Sequence, residues 1–429
     1  MAVEADRRGG DRRVIDRLGA FGDRIALSFG GRSVRADELA RAVARAELPA
    51  GRGPVGCRAD ADPVAAITTV LAGLDRGRPV LVGATQADTD RVADDLPPDT
   101  GLALTSSGST AADGRPRIIA RTAESWLASA EPLAELAGLG PDDRIGVTGP
   151  LSVSMHLYAA LHALWIGATA TDQLASASAL HATPTRLARL LSSDAAPPRT
   201  AIVAGAALPD RLRQQAAARG IRLVEYYGAA ELSFVLAARH DPGDDADAGL
   251  APFPGVEVDL RTVDAGLEVW ARSPYLALDV VGGRMRRDDD GFATVGDLVE
   301  RTAAGGVRVL GRGDSAIITA GATVLAEDVE AHLTALPGVR DAAVVGEPHD
   351  LLGERIVAVV ELDPGTRLET VADAARAALS PVELPRRWFA ADLPRTPSGK
   401  PARGRLRDEI IAGRLGTGHP RPFIDRRDA

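Results

Sequence analysis

The sequence predicts an α/β fold, with a large N-terminal domain of layered α/β sheets that includes a β-rich subdomain, followed by a small C-terminal α+β domain. Three observations lead to it. Between Asp23 and Tyr226, short apolar runs alternate with segments of helical period, as strands and helices do in an α/β layer. From Gly249 to Asp297 the chain turns to short strands separated by Gly, Pro and Asp turns, which marks the β-rich subdomain. Beyond Gly311 to Asp314 a second alternation of strand and helix runs for about 100 residues, long enough for a small domain.

In chain order, strand Arg24 to Phe29 leads through a Gly-Gly turn to a helix over Ala36 to Ala46. Helix Asp62 to Leu74 precedes a buried strand at Pro79 to Gly83, and strand Gly101 to Thr105 enters a polar loop. Helical spacing resumes from Thr122 to Leu136, and strand Ile145 to Thr148 feeds an apolar helix from Met155 to Trp165. Helix Pro184 to Leu191, strand Ala201 to Ala204, helix Asp210 to Arg219 and strand Arg222 to Tyr226 complete the large layer. The last unit holds strands Ala342 to Val345 and Ile356 to Leu362, helix Val371 to Leu379 and strand Trp388 to Ala391. After Gly413 the Gly, Pro and Arg content predicts a frayed tail.

Composition bounds the function. At 429 residues the chain exceeds one ordinary core, and its 3% aromatic content leaves packing to Leu, Val, Ile and Ala. A net charge of -9 gives no electrostatic footprint for nucleic acid or an anionic membrane. The lone Cys57 excludes an intrachain disulfide and any multi-cysteine metal site. Met1 to Arg13 is charged, and no run approaches the roughly 18 apolar residues of a membrane span, so neither signal peptide nor spanning helix is expected and the expected compartment is the cytoplasm.

Against that background one residue stands apart. Lys400 is the only lysine, set in Pro394-Arg395-Thr396-Pro397-Ser398-Gly399-Lys400-Pro401-Ala402-Arg403. An ammonium places a compact charge where a planar guanidinium does not fit, so Lys400 is read as a working group.

Several strand-end loops carry chemistry, as expected where ligands bind beyond the carboxyl ends of strands. Thr105-Ser106-Ser107-Gly108-Ser109-Thr110 and the following Gly114-Arg115-Pro116-Arg117 combine hydroxyls, glycine amides and cations suited to phosphate. The spacing is not that of a Walker loop, and an exposed polar loop is the alternative reading. Tyr226-Tyr227-Gly228-Ala229-Ala230-Glu231 offers an aromatic face and a carboxylate able to hold Mg2+. In Val295-Gly296-Asp297-Leu298 and Gly311-Arg312-Gly313-Asp314 an acid and an arginine are placed to reach ribose hydroxyls, or to lie in surface turns.

Taken together and in order, these loops resemble the adenylate-forming superfamily of acyl-CoA synthetases, aryl-acid ligases, luciferases and peptide-synthetase adenylation domains. The resemblance runs from about Asp23 to Arg407 and is strongest in GRGDSAIITAGATVLAEDVE, Gly311 to Glu330, and in PRTPSGKPAR. TSSGST, the Pro184 segment, Ala204 to Pro209 and YGAAE also match. The resemblance implies that Thr105, Ser106, Gly108, Ser109 and Thr110 wrap the ATP phosphates, with Arg117 where the family usually has lysine. It implies that Gly205, Ala206, Ala207 and Tyr227 enclose adenine, that Asp297 and Arg312 hold ribose, and that Glu231 binds Mg2+. Asp314 becomes the hinge between a large domain at 1–313 and a small mobile domain at 314–429, and Lys400 bridges the attacking carboxylate and the α-phosphate. The acid pocket is expected around His156, Ser152 and Gly228.

The implied activity is AMP-forming ligation of a small acyl or aryl acid to coenzyme A or to the phosphopantetheine of an acyl carrier protein. Two alternatives stand beside it: an adenylating enzyme whose second step forms no thioester, and a nucleotide-binding homologue that has lost catalysis. The departures from the family pattern are an insertion at Ala111 to Asp113 and the loss of threonine at Ala230 and Val295.

Overall fold

The computed structural model describes residues 14–105, 117–193, 195–243, 249–263, 266–282, 285–312, 316–319, 322–349, 352–396, 399–415 and 423–424. Four sheets organise them. The largest has nine strands in the order Ala251–Pro252, Ser233–His240, Arg222–Ala229, Thr200–Val203, Ala179–Ala182, Arg144–Val147, Thr169–Thr171, Ile25–Phe29 and Arg32–Arg35. Its six central strands, from Arg222–Ala229 to Ile25–Phe29, are parallel, so their carboxyl ends share one edge. A five-stranded sheet runs Asp279–Val281, Ile118–Arg121, Leu102–Thr105, Val80–Val82 and Val55–Cys57.

Helices between these two sheets are apolar all round, as burial on both faces requires. Helix Pro63–Asp75 touches strands of both sheets, and its Ile67 and Val70 are fully buried, each burial worth roughly 1.5–3 kcal/mol. It starts where Asp62 accepts from the Ala65 amide at 3.0 Å, with Pro63 in the first turn. Helix Ser154–Trp165 buries every residue from His156 to Leu164 under the nine-stranded sheet and helices Val14–Ala20 and Ala123–Leu127.

The β-rich stretch forms a third sheet, Arg286–Arg287, Ala293–Thr294, Gly266–Arg272, Asp297–Arg301 and Val307–Arg312, with Glu257–Val263 on Gly266–Arg272. The fourth contains Ala322–Leu325, Ala316–Thr319, Gly353–Leu362, Arg387–Ala390 and Phe423–Ile424, with Val339–His349 paired to Gly353–Leu362. The core clusters divide the same way. The main cluster draws on Leu18 to Val307, and two others on Ile317 to Leu415.

The expected elements form, with local differences. The helix expected over Thr122 to Leu136 is two helices, Ala123–Leu127 and Ala130–Ala137, broken at Ser129, whose buried hydroxyl bonds to that of Tyr158 at 2.9 Å. Strand Arg222–Ala229 runs past Tyr226 because Ser233–His240 pairs with it as a hairpin. Helix Arg403–Ile411 follows Lys400 and docks through Leu406 and Ile410. No described helix is long and apolar enough to cross a membrane.

Candidate active site

Lys400 sits on a hairpin braced by its own backbone. Thr396 donates to the Lys400 carbonyl at 2.8 Å, Ala402 donates to the Pro394 carbonyl at 2.7 Å, and Arg395 and Pro401 form an antiparallel bridge. Arginines clamp both ends. Arg395 reaches Asp341 at 2.6 Å and Glu361 at 2.9 Å. Arg403 bonds to Glu330 through two nitrogens and to Glu327 at 2.7 Å, and Glu330 also accepts from the Val344 amide at 2.8 Å. Burial raises the Glu330 carboxyl while Arg403 holds it down, and its partners hold Arg403 charged despite burial.

The hairpin delivers Lys400 to the large domain. A methyl group built on Gly205 would lie 3.4 Å from Lys400 Cε, 3.9 Å from Nζ and 3.5 Å from the Thr183 methyl. Gly205 has φ of 93°, a conformation that glycine adopts without strain, so side-chain-free backbone faces the ammonium. Ala206 and Ala207 follow, exposed.

Tyr227 and Asp297 meet. The phenol donates to Asp297 Oδ2 at 2.5 Å, and buried Asp297 pairs across the third sheet with Arg312. Residue Gly228 lies at a register shift, where a side chain would strike the Ser233 carbonyl at 2.0 Å. Half-buried Glu231 is anchored by its backbone, its carbonyl accepting from Ala277 at 2.8 Å. Its carboxylate makes no hydrogen bond among the described residues, and its charge acts on buried Arg121.

Thr105 ends its strand with its hydroxyl close over Gly83, at 2.5 Å from where a Gly83 side chain would begin; Ser152 Cβ lies 3.7 Å from the same point. Across the phosphate loop Arg117 keeps a buried Nε without a hydrogen-bond partner among the described residues. The expected residues Ser106, Gly108, Ser109, Thr110 and Asp314 lie outside the described residues. Ser152 lines a cleft of about 230 Å3 with Val82, Val147, Pro150 and Leu151. His156 is buried behind that loop, within 3.3 Å of Thr148 Oγ1 and 3.2 Å of the Pro150 carbonyl, and burial pushes it down to about 4. Its ring packs where a Gly149 side chain would stand.

Beneath the hairpin of Arg222–Ala229 and Ser233–His240 lies a continuous group of rings, including Trp126, Tyr158, His162, His181, Tyr226 and Phe234. Sequence reasoning named neither these buried histidines nor Arg121, whose guanidinium donates to the carbonyl just before Glu231; a charged residue in an otherwise apolar strand, IIAR, was the one available signal for Arg121.

The Lys400 hairpin thus lies beside the loop that follows strand Thr200–Val203 of the parallel sheet, in a two-domain α/β architecture. Residues 55–277 match the family model of the AMP-binding enzyme, and residues 328–400 that of the AMP-binding enzyme C-terminal domain. The chain belongs to this family. It is 30% identical over 330 residues to the uncharacterized acyl-CoA ligase YhfT of Bacillus subtilis, covering 70% of this chain and 67% of that protein. It is 31% identical over 357 residues to a probable 2-succinylbenzoate-CoA ligase of Mycobacterium tuberculosis, covering 74% and 86%. In fold it is similar to ATP-bound MatB from Rhodopseudomonas palustris, with a TM-score of 0.76 at 22% identity over 94% of this chain and 99% of that one.

Proposed function

We propose that the protein is an AMP-forming acid-thiol ligase acting in the cytoplasm. It joins an acyl or aryl carboxylic acid to the AMP moiety of ATP, then transfers the acyl group to coenzyme A or to a carrier-protein phosphopantetheine. The observation that carries this reading is the head of Lys400, the only lysine, resting against Gly205.

In the first step a carboxylate oxygen bonds to the α-phosphorus and the bond to pyrophosphate breaks. Two anions must approach, so positioning and charge neutralisation lower the barrier. Lys400 supplies a charge between them. Thr105, Ser106, Gly108, Ser109, Thr110 and Arg117 grip the phosphates, and the buried Arg117 Nε, without a hydrogen-bond partner among the described residues, suits an anion. Gly205, Ala206, Ala207 and Tyr227 receive adenine, while Asp297 and Arg312 receive ribose. The Glu231 carboxylate, without a hydrogen bond among the described residues, fits Mg2+, which takes one or two carboxylates together with phosphate oxygens and water. When bound, the ion neutralises phosphate charge. Ser152 and Gly228 border the acid, while buried His156 props the Pro150 loop from behind.

In the second step the sulfur bonds to the acyl carbon and AMP leaves. The small domain, 314–429, turns about Asp314 and withdraws Lys400 to admit the thiol. Incubation with ATP, Mg2+ and a panel of carboxylic acids, with and without coenzyme A, tests the reading: acid-dependent pyrophosphate release and thiol-dependent AMP release are expected. Absence of pyrophosphate with every acid overturns it.

A further inference from the structure

Arg121 is a buried cation that the reaction above leaves without a role. It closes the far end of strand Ile118–Arg121, which leaves the phosphate loop at Ile118; it pairs there with Leu102 and is 3% exposed. Its guanidinium has no ion pair among the described residues. Nη1 donates to the Ala230 carbonyl at 3.0 Å, Nη2 to the Ser125 carbonyl at 3.1 Å and to that of Tyr275, and Nε to Ser125 Oγ at 3.4 Å. The Trp126 ring lies over it, 5.2 Å from the guanidinium carbon. Burial pushes Arg121 down to about 10, against the opposing charges of Tyr158 and Glu231.

A cation buried without a carboxylate is expensive, and an apolar side chain of similar volume avoids that desolvation. What Arg121 secures is a junction. The Ala230 carbonyl immediately precedes Glu231, the Glu231 carbonyl accepts from Ala277, and Leu278 donates to the Ala120 carbonyl at 2.8 Å. The Glu231 loop, the 275–278 segment and the strand leaving the phosphate loop are thus closed into one ring of hydrogen bonds around the guanidinium.

We propose that Arg121 is a positioning residue that sets the Glu231 carboxylate at a fixed distance from the phosphate-loop strand, and with it the geometry in which a divalent cation and nucleotide phosphates are held together. It rests on the nucleotide site proposed above. It acts through backbone carbonyls and touches neither metal nor nucleotide. The three-carbonyl grip requires the guanidinium fork, which a lysine reproduces only in part.

The test is titration calorimetry on the full chain and on Arg121→Met and Arg121→Lys, measuring affinity for ATP with Mg2+ and, separately, for AMP without metal. Arg121→Met is expected to weaken metal-ATP binding at least about tenfold and AMP binding less than about twofold, because AMP without metal makes no use of the Glu231 carboxylate. Arg121→Lys is expected to recover part of that loss. Equal weakening of both ligands, or no change in either, overturns the proposal. So does failure of both variants to melt cooperatively, which assigns Arg121 to the core alone. A wild-type chain that binds neither nucleotide instead overturns the nucleotide-site reading itself.

Discussion

The Tyr227 hydroxyl donates to the buried Asp297 carboxylate at 2.5 Å, tying the hairpin of Arg222–Ala229 and Ser233–His240 in the largest sheet to the third sheet. In the proposed site one of these residues meets adenine and the other ribose, so a single bond sets their spacing. Replacing Tyr227 with Phe removes a donor to a charged acceptor, which costs about 1.5–3 kcal/mol. A lower unfolding midpoint in urea and a rise of roughly tenfold in KM for ATP are expected. Unchanged KM with lowered stability would confine the bond to the scaffold.

For Lys400→Ala, adenylation is expected to fall at least about hundredfold as the charge between the two anions is lost. Thioester formation from a preformed acyl-adenylate should persist, since the lysine is withdrawn in that step. Comparable loss in both half-reactions argues against an alternating lysine.

Arg403→Met removes the clamp on Glu330 and Glu327 at the base of the Lys400 hairpin. The hairpin loosens while the nucleotide contacts stay in place. A drop of roughly tenfold in kcat for adenylation, with KM for ATP nearly constant, is the expected signature of lost positioning. A change confined to KM contradicts it.

Acid stability follows from the buried histidines. Burial pushes His156 and His162 down to about 4 and His181 well below its ordinary value. The unfolded chain therefore takes up protons first, and stability falls as pH drops from about 6.5 towards 4, by about 1.4 kcal/mol per pH unit for each histidine fully charged in the unfolded chain and neutral in the folded one. His162→Leu should flatten the dependence of unfolding free energy on pH across that window by about one proton. Identical slopes for the two proteins would exclude His162 as a contributor.

The sequence made the large alternation legible because burial on every side imposes long apolar runs, as in Ser154–Trp165. Short strands such as Thr169–Thr171 and Ala179–Ala182 escaped notice, since Ala, Thr and His acquire strand character there from flanking parallel neighbours. Helix Arg403–Ile411 has two buried anchors, Leu406 and Ile410, amid arginines and Gly404, too sparse a stripe to read. At the site, the residue types of Lys400, Glu231 and Asp297 were readable from local motifs. The bond between Tyr227 and Asp297 spans 70 positions, and the carbonyl grip of Arg121 is built by segments that meet only in the folded chain.

The seat of Lys400 beside Gly205 also makes the protein its own reporter. With one ε-amine in the chain, an amine-selective reagent can label only that side chain and the α-amino group. The two differ in basicity and separate by mass after cleavage at arginine, so the labelling rate at Lys400 reads out how far the cleft stands open, without any engineered probe.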